Sequence, residues 1–516
     1  MKKPKIVLFM PARVDGEVGD LPSADLIPLE FLHIAPMATQ AGWDVQVIDS
    51  MVEGEKSLEL VLEACEDADA YGSSCILGYQ VFDGANVAAA VKERFPNLPI
   101  VWGGWFPSSI PELYLGSGIC DAVVYGQGEV TFGELLEAWK AHGNDADLSE
   151  IPGLVILRDG EVYWTPKRAV THLNDLPGPD FSVIDLQRYY EQQKVGAQFG
   201  HRVRNRMPPP KELAGKPWRG FSYFSSFGCP EPCAFCCSPE IAGRRWVALD
   251  ADVLIDRLAE IHAKDPFDVL RFQDANFGVK KSRTAEFCEG MLEKLPGVAW
   301  NATIEIKQIC QYDAETLELM KRSGNHLMVF GAEAATEETQ RLIRKAIKEG
   351  QTDEAMRRMH ELDIKSGCTF IIGYPNESVE SMYETINQAA EMKTKYPSCS
   401  VDVFPYRPIP GSEFWAPSVE QNGYPIPQGF EEWGRFFDYK FNSWWGVIPA
   451  DVQKAWQRFT AFTPWFDGHS GGKGPISWVL RRSAGVRLRK HLWKAPIEFQ
   501  LFDRLQRVLG PAIRFI

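Results

Sequence analysis

Short apolar runs alternate with amphipathic stretches along the first 145 residues of the chain. The stretches carry apolar residues at helical spacing, as in SLELVLEACEDA and GANVAAAVKERFP. The runs are typical of buried parallel strands and read KIVLFMP, WDVQVIDS, AYGSSCI, PIVWGG and DAVVYGQGE. This βα alternation predicts an α/β domain over residues 1–145, with a doubly wound, Rossmann-like parallel sheet that binds ligands at the carboxyl ends of its strands.

Small residues follow three of these predicted strands. They are Ser73 and Ser74, Gly103 and Gly104, and Gly126, Gln127 and Gly128. Small side chains let a large planar or phosphate-bearing ligand approach the backbone closely. Tight βα turns without any ligand have the same composition, and the spacing alone favours that simpler interpretation.

A second series of βα units follows a change in composition after residue 145. Residues 146–215 contain a hairpin pattern and a polar, proline-containing stretch, which we interpret as a linker with a small hairpin. Six βα units over 216–412 predict a partial (β/α)6 barrel with its active site at the C-terminal ends of the strands. Those strands read FSYFSSF, VLRFQDANF, VAWNATIE, HLMVFGAEA, CTFIIGYP and SVDVFPYRP. Residues 413–516 are aromatic-rich, then basic, and are predicted to be mostly helical.

Composition narrows the classes of function. The net charge of −14 argues against a general nucleic-acid binder, which normally has a basic excess. No apolar run reaches the ~18–20 residues that a membrane span needs. Eleven cysteines in 516 residues are too sparse for a disulfide scaffold, so we expect reduced thiols and a cytoplasmic location.

One group of cysteines stands apart from the others. Cys229, Cys233 and Cys236 have the spacing C-x3-C-x2-C on a loop directly after a predicted strand. Thiolates suit both iron–sulfur clusters and zinc, but a structural zinc site needs a fourth ligand at a suitable spacing. Cys237 adjoins Cys236, so its side chain is expected to point away from the other three. Three ligands fit a four-iron cluster with one open iron.

This loop, at the head of a six-fold βα series, resembles that of the radical S-adenosylmethionine (SAM) superfamily. Phe235, the aromatic residue before the third cysteine, also matches that pattern. The resemblance implies a [4Fe–4S] cluster on Cys229, Cys233 and Cys236, whose open iron binds SAM and delivers the electron that cleaves it to a 5′-deoxyadenosyl radical. It also implies SAM contacts on the later strands, at Asp274, Asn276, Glu305, Glu333 and Gly373. Acidic residues at such positions also occur as ordinary surface or cap residues.

Residues 1–412 further resemble the radical SAM subgroup with an N-terminal cobalamin-binding domain. Four segments carry the likeness, namely PLEFLHIAPMATQAGWDVQVIDS, VWGGWFPSSIPE, DAVVYGQGEVTF and LPGPDFSVIDLQRYY. It implies cobalamin contacts at the small residues named above and at Trp105 and Glu129. The subgroup commonly has His where this chain has Trp105, and the N-terminal domain lacks an Asp-x-His-x-x-G signature. A literal match at 467–472 follows no Rossmann strand, so we interpret it as coincidence.

The resemblance implies an enzyme that methylates an unactivated carbon. One SAM methylates cobalamin, a second yields the radical that abstracts a substrate hydrogen, and the substrate radical takes the methyl group. The alternative within the family is cyclisation, oxidation or rearrangement without methyl transfer, as in the anaerobic magnesium-protoporphyrin ester cyclase. The alternative from another class is a non-catalytic protein with structural zinc at 229–237. The sequence assigns no catalytic side chain.

The C-terminal region carries two further patterns. Its aromatic residues predict either a helical cap on the barrel or a pocket for a bulky, lipid-like or polycyclic substrate. These residues are Trp415, Trp433, Phe436, Phe437, Trp444, Trp445, Trp456, Phe462 and Trp465. The basic stretch that follows predicts an amphipathic helix on anionic lipid, or a surface that docks on the acidic body of the chain. The expected partners are therefore a small-molecule substrate and, from the family, an electron donor such as flavodoxin or ferredoxin. A membrane surface is a partner only in the first of the two interpretations of the basic stretch.

Overall fold

A computed structural model describes residues 2–13, 27–198, 210–421, 423–436, 448–470 and 474–509 of the chain. These residues form two parallel α/β sheets followed by a helical C-terminal region, which confirms the predicted fold class. All eleven cysteines are free thiols. None of the described helices combines the length and the apolar character that are needed to cross a bilayer.

The first sheet has seven strands in the order β2-β1-β3-β4-β5-β6-β7. The first five are parallel, and the order 2-1-3-4-5 leaves a crevice at their carboxyl ends between β1 and β3, where open α/β sheets bind ligands. The strands are β1 (Lys5–Met10), β2 (Asp44–Asp49), β3 (Ala70–Ser74), β4 (Ile100–Gly103), β5 (Ala122–Val124), β6 (Leu154–Arg158) and β7 (Glu161–Trp164).

Helices cover both faces of this sheet. Val7 and Phe9 of β1 point into one apolar core, and Leu8 and Met10 point into the other, so the strand is buried on both sides. This burial explains why such strands appear in the sequence as continuous apolar runs. The helices are α1 (Leu29–Gln40), α2 (Ser50–Glu53), α3 (Ser57–Ala64), α4 (Tyr79–Arg94), α5 (Trp105–Ser109), α6 (Pro111–Gly116) and α7 (Glu129–His142).

The hairpin that we interpreted as part of a linker extends the first sheet. Strand β6 pairs antiparallel with β5, with Ile156 opposite Ala122, and β7 forms the outer edge. Leu154 and Val155 are buried, and this burial draws the hairpin onto the sheet rather than into solvent. Helix α8 (Leu186–Gln198) follows, and the Tyr189 hydroxyl donates a hydrogen bond of 2.9 Å to Asp49. The exact domain bounds stay a prediction.

The second sheet has six parallel strands in the order β15-β14-β13-β12-β11-β8. The first and last strands do not pair, so the described strands form an open, partial barrel as predicted. These strands are β8 (Gly220–Tyr223), β11 (Val269–Phe272), β12 (Ala299–Thr303), β13 (Asn325–Glu333), β14 (Lys365–Ile372) and β15 (Ser400–Pro405). The run FSYFSSF, predicted as one strand, is divided, because its second half pairs as β9 (Ser226–Gly228) with β10 (Trp246–Ala248).

Amphipathic helices cover the barrel, and its core holds an aromatic group. The rings of Phe272 and Phe277 lie 4.6 Å apart, and Phe287 meets Trp300 edge-on at 5.2 Å. Such pairs add stability beyond the area that they bury. The helices are α9 (Ser238–Ile241), α10 (Ala251–Lys264), α11 (Lys281–Lys294), α12 (Ile306–Gln311), α13 (Ala314–Arg322), α14 (Glu337–Leu342), α15 (Gln351–Glu361) and α16 (Val379–Lys395).

The C-terminal region divides between the two sheets. Helix α17 (Gly429–Phe436) packs on α4, and its Trp433 lies against Phe106 with ring centroids 5.0 Å apart. Helices α18 (Ala450–Phe466) and α19 (Pro475–Arg489) pack on α16 instead, and α20 (Ile497–Leu509) follows. The prediction of a cap on the barrel therefore holds for α18 and α19 but not for α17, because the buried rings of α17 join the core of the first sheet.

Candidate active site

The three clustered cysteines lie on the loop between β9 and α9, at the carboxyl end of the barrel strands. Burial raises the pKa of Cys229 to about 11 and those of Cys233 and Cys236 to about 12, and the negative charge of Cys236 also raises the pKa of the other two. The thiols are therefore protonated until a metal displaces the protons. Three soft sulfur donors close together fit an iron–sulfur cluster.

The fourth cysteine points elsewhere. The thiol of Cys237 hydrogen-bonds with the side chain of Ser109 in α5 of the first domain. This contact agrees with the expectation that Cys237 is not a fourth ligand. Across the described ranges, no three His, Cys, Asp or Glu side chains already stand as ligands around one point. A [4Fe–4S] cluster does not need such a point, because each of its three cysteine ligands binds a different iron.

Asp274 fixes the chain just before the cysteine loop. Its carboxylate accepts hydrogen bonds from the Ser225 amide at 2.7 Å, the Ser225 hydroxyl at 2.5 Å and the Ser226 hydroxyl at 2.7 Å. Both of its oxygens are thus occupied within the protein, and burial raises its pKa against the effect of Arg283. The structure shows Asp274 as a positioning residue, and the contact with SAM that we expected there stays a prediction.

Arg283 completes this anchor and was not found in the sequence. Its Nε donates to the Leu249 carbonyl at 2.7 Å, and its Nη2 donates to the Ser225 hydroxyl at 2.9 Å. An arginine in an amphipathic helix is usually at the surface, so nothing in the sequence marks this one. It offsets the buried charge of Asp274 beneath the cysteine loop.

A buried ionic group lies beside the cysteines. The Lys345 ammonium donates to Glu305 at 2.8 Å and lies 3.6 Å from Glu333, and all three side chains are at least 87% buried. Burial lowers the pKa of Lys345, but the two carboxylates raise it above its ordinary value. Lys345 lowers the pKa of Cys233 and Cys236 in turn, so it favours the thiolate forms that ligate iron. A second pair, Lys307 with the buried Glu231 at 2.6 Å, lies within the same loop region. The sequence analysis missed both lysines.

Glu333 has a strained backbone. Its φ is +66°, in the left-handed region that non-glycine residues rarely adopt, and the pairing of β13 with β14 shifts there. A Cβ at the neighbouring Gly331 would overlap the Glu333 carboxylate, so a larger residue there would displace that side chain from its present position. Strain held by packing is common at binding sites, and it is consistent with the expected role of Glu333 toward SAM.

Three other expected SAM contacts have different surroundings. Asn276 is fully buried, and both polar atoms of its side chain lack a partner among the described residues. Phe235 packs against Tyr374, with ring centroids 5.5 Å apart. Gly373 has φ +86°, but Ile448 lies where its Cβ would stand. The space beside Gly373 is therefore filled by a protein side chain, and the SAM contact expected at this glycine stays a prediction.

A cavity of about 400 Å³ lies between the two domains. Its floor is the carboxyl edge of the first sheet, and its opposite wall is formed by barrel residues that include Phe224, Phe227 and Gly228. All nine residues expected to contact cobalamin line it: Ser73, Ser74, Gly103, Gly104, Trp105, Gly126, Gln127, Gly128 and Glu129. The strand-end glycines therefore share one concave surface with the chain directly before Cys229, which sequence spacing could not establish.

Some of these residues already have internal partners. Gln127 exchanges two hydrogen bonds with the backbone of Thr171, at 2.7 and 3.1 Å, and Ser73 donates to the Phe9 carbonyl at 3.0 Å. They shape the cavity and have little capacity left for a ligand. Gly104 has φ +95°, and a Cβ there would overlap the Cys75 carbonyl, so this turn requires glycine.

The cavity wall also holds ionisable residues, of which His33 and Glu30 were not found in the sequence. Burial lowers the pKa of His33 to about 4, with a further effect from Arg257, so its imidazole is neutral at pH 7. Its Nε2 is buried without a partner among the described residues. Burial raises the pKa of Glu30 and of Glu129 on the same wall. These pKa shifts show that the cavity is poor in water, and such a cavity suits a large, mostly apolar ligand.

The C-terminal motifs lie away from this cavity. Asp467, the first residue of the Asp-x-His-x-x-G match, forms an ion pair of 2.7 Å with Lys393, and 471–473 lie outside the described residues. The match follows a helix rather than a strand, in line with coincidence. Trp456 and Phe462 belong to α18 on the barrel, whereas Phe437, Trp444 and Trp445 lie outside the described residues.

Two family models match the chain. The model described as B12 binding domain matches residues 19–136, and that of the radical SAM superfamily matches residues 223–389. The first range contains the nine strand-end residues, and the second contains the three cysteines and the five expected SAM contacts.

Three relatives align with most of the chain. An uncharacterised methyltransferase of Pyrococcus horikoshii is 26% identical and covers 82% of this chain and 84% of its own length. An anaerobic magnesium-protoporphyrin IX monomethyl ester cyclase of Synechocystis is 24% identical, and the alignment covers 71% of this chain and 69% of the cyclase. The hopanoid C-3 methylase of Methylococcus capsulatus is 25% identical, and the alignment covers 76% of this chain and 68% of the methylase.

Two solved structures share the fold. The radical SAM methyltransferase TsrM of Kitasatospora setae, with cobalamin and a [4Fe-4S] cluster bound, has a TM-score of 0.65 at 13% identity, over 95% of this chain and 100% of that one. The cobalamin-dependent radical SAM enzyme OxsB has a TM-score of 0.70 at 12% identity, over 98% and 76%. The arrangement of both domains is thus a known one.

Proposed function

Because the chain belongs to the radical SAM enzymes that carry a B12-binding domain, we propose that it is a cobalamin-dependent methyltransferase acting on an unactivated carbon. The observation that carries the proposal is the cavity between the domains. The strand ends of the first sheet line one side, and Gly228, which adjoins Cys229, lines the other. A methyl carrier and a radical source have to face one substrate, and this cavity joins the two regions that we assign to them.

We assign Cys229, Cys233 and Cys236 as the three protein ligands of the cluster. The bound cofactors supply the electron, the adenosyl radical and the methyl group. Lys345 holds a positive charge near the thiolates, and Asp274 with Arg283 keeps the loop in position. Glu333, Glu305 and Asn276 remain the candidates for contacts with SAM.

The cavity wall would then hold cobalamin. Gly103, Gly104 and Gly126 leave room for a flat macrocycle against the strand ends, and Trp105 borders the same edge. Apolar side chains such as Phe132 exclude water, which protects a radical from side reactions. His33 contributes a neutral imidazole to this wall.

The second candidate is a reaction without methyl transfer. The similarity to the cyclase of Synechocystis supports it, because that relative covers 71% of the chain. The two reactions differ in their by-products. A methyl transfer releases 5′-deoxyadenosine and S-adenosylhomocysteine in equal amounts, whereas the cyclase type releases only the first.

A small molecule is the substrate expected for a radical SAM enzyme, and we propose a lipid-like or polycyclic one. The apolar cavity supports that class, as do relatives named for a hopanoid and a porphyrin ester. We further propose flavodoxin or ferredoxin as the electron donor, and a cytoplasmic location supported by the eleven free cysteines.

The test begins with anaerobic reconstitution in iron, sulfide and hydroxocobalamin. About four irons and one cobalt per chain are expected. Methyl-labelled SAM and a strong reductant should then transfer label to the bound cobalamin and release S-adenosylhomocysteine. Cobalt retention without label transfer would refute the methyltransferase and favour the cyclase type. Iron without any cobalt would refute the assignment of the cavity.

A matched pair of variants tests the cluster ligands. Cys229→Ala should lose the iron–sulfur absorbance, because two thiolates hold a cluster poorly. Cys237→Ala should keep it, since that thiol faces Ser109. Equal iron content in both variants would contradict the ligand assignment.

A further inference from the structure

The most exposed apolar side chains of the described residues are concentrated at one place. The six with the largest exposed fractions, from 47% to 59%, all lie between Trp478 and Leu501. They are Trp478, Val479, Val486, Leu492, Ile497 and Leu501. Scattered single exposures are normal in proteins, but a concentration of this kind usually marks an interaction surface.

Helix α19 presents these side chains on one face together with arginines. Trp478, Arg482, Val486 and Arg489 recur at steps of three or four residues and are all exposed. The opposite face, which includes Leu480, Ala484 and Leu488, is buried in the core of the barrel domain. Helix α20 repeats the pattern, since Ile497, Leu501 and Arg504 are exposed. We call the exposed residues of α19 and α20, with Leu492 between them, the basic apolar face.

The two helices are held together and anchored behind this face. Arg487 donates to Glu498 at 2.5 and 2.9 Å, which joins α19 to α20. Trp493 donates to Asn387 of α16 at 2.8 Å. The basic apolar face is therefore a fixed surface, and its exposure does not depend on a fraying helix.

The charge of this segment is opposite to that of the whole chain. Residues 474–502 contain six Arg or Lys residues and one Glu, in a chain of net charge −14. Arg482 lies over the Trp478 ring, 5.0 Å from its centroid. In the described part of the chain, no acidic side chain pairs with Arg482, Arg489 or Lys490. Among the described residues, these exposed basic side chains therefore do not dock on acidic groups of their own chain, although the opposite face of α19 packs on the barrel domain.

We propose that the basic apolar face docks on the surface of an anionic phospholipid bilayer. Apolar side chains at the level of the acyl boundary and arginines among the headgroups are the two features that an interfacial helix requires. Tryptophan and arginine side by side suit that boundary, because each has an apolar body and a polar end. The inference goes beyond the methyltransferase proposal and does not rest on it, since vesicle binding is measured without turnover.

The experiment is flotation of the full-length, cofactor-loaded chain with vesicles. Vesicles of phosphatidylcholine and phosphatidylglycerol in equal parts should carry the protein upward, and pure phosphatidylcholine should carry much less. Rising salt should weaken binding, because it screens the attraction between the arginines and the lipid phosphates. Failure to float with anionic vesicles, or equal flotation with both, would overturn the proposal.

Two pairs of substitutions locate the contact. Each basic residue at an anionic surface contributes about fivefold to binding, so Arg482→Glu with Arg489→Glu should lower the partition coefficient by at least about twentyfold. Trp478→Ser with Ile497→Ser should lower it by about tenfold, because apolar area no longer enters the interface. Arg482→Gln with Arg489→Gln serves as a milder variant should the reversal disturb folding.

Matched controls come from elsewhere on the surface. Lys56→Glu and Trp164→Ser change an exposed lysine and an exposed tryptophan outside the face, and both should bind vesicles like the original chain. Circular dichroism and iron content should be unchanged in every variant. If the face substitutions leave vesicle binding intact, the proposal fails. It also fails if no vesicle binds and the same substitutions dissociate a dimer seen by sedimentation, because a second copy rather than a bilayer then covers the face.

Discussion

Replacing Lys345 by methionine tests the buried ionic group beside the cysteines. The substitution keeps most of the apolar stem but leaves Glu305 and Glu333 buried without their cation. At an effective dielectric constant of about 20, the attractions across 2.8 and 3.6 Å amount to about 6 and about 5 kcal/mol before the cost of desolvation is subtracted. Removing one partner of a buried ion pair costs about 3–5 kcal/mol, and we expect a loss in that range.

The assay is guanidinium unfolding of the protein without its cofactors, because bound cofactors add stability by mass action. With a slope of about 5 kcal/mol per M, the midpoint should fall by roughly 0.6–1 M. Lys348→Met is the control, since Lys348 is exposed three residues away and should change stability by less than about 0.5 kcal/mol.

A double-mutant cycle separates the ion pair from other effects of the substitution. Glu305→Gln in the Lys345→Met background removes one of the two uncompensated charges. It should therefore recover part of the loss, with a coupling energy of about 2 kcal/mol. A single-variant loss below about 1 kcal/mol, together with a coupling near zero, would refute the reasoning and indicate that water or a bound ion already compensates the carboxylates.

Three further predictions concern other parts of the two domains. In Gly104→Ala the added methyl group would overlap the Cys75 carbonyl, so the variant should retain less cobalt and its free energy of unfolding should fall by about 1–3 kcal/mol. Gly103→Ala adds its methyl group to open space and should unfold thermally like the original chain. Asp274→Ala should lower the iron content of reconstituted protein, because the loop loses three hydrogen bonds and Arg283 loses its counter-charge, and unchanged iron would contradict its positioning role. Tyr189→Phe removes the hydroxyl bonded to Asp49, whose pKa burial raises to about 6. The Tyr189 hydroxyl lowers the pKa of Asp49, so it stabilises the ionised carboxylate more than the protonated carboxyl. Without the hydroxyl the pKa should rise further, and the stability that protonation contributes is lost as the pH rises through the folded-state pKa. The deficit of the variant in unfolding titrations should therefore be about 1–3 kcal/mol at pH 8 and smaller at pH 5.

The sequence predicted most strands well because the central strands of both sheets are parallel. A strand buried on both faces, such as β1, needs apolar residues at nearly every position, and this pattern is visible without knowledge of the neighbours. The hairpin of β6 and β7 was also visible, but its attachment to β5 was not. Pairing between strands depends on which edge is free, and no local pattern records that.

The residues of the candidate site also divide into those that a local sequence pattern reveals and those that it does not. Cys229, Cys233 and Cys236 could be proposed from the sequence because metal ligands on a single loop have a characteristic spacing. Lys345 and Arg283 were missed because each lies near or within an amphipathic helix, where a charged residue is normally exposed. Their burial results from where the helices pack against the cysteine loop. The sequence also did not show that Ile448 packs against Gly373, because the two residues are far apart in the chain.

The position of α17 has a consequence for how the protein can be divided into fragments. Trp433 and Phe436 complete the core of a domain whose other residues lie about three hundred positions earlier in the chain. A fragment cut at the end of the first domain would therefore lack part of its own interior and expose Phe106 to water. The chain runs through the barrel, returns to the first domain at α17 and then continues to the barrel helices α18 and α19. The two domains are therefore connected at more than one place along the chain. We expect the two domains to aggregate when they are expressed separately. Folded protein should be recovered when both are produced together and α17 is included.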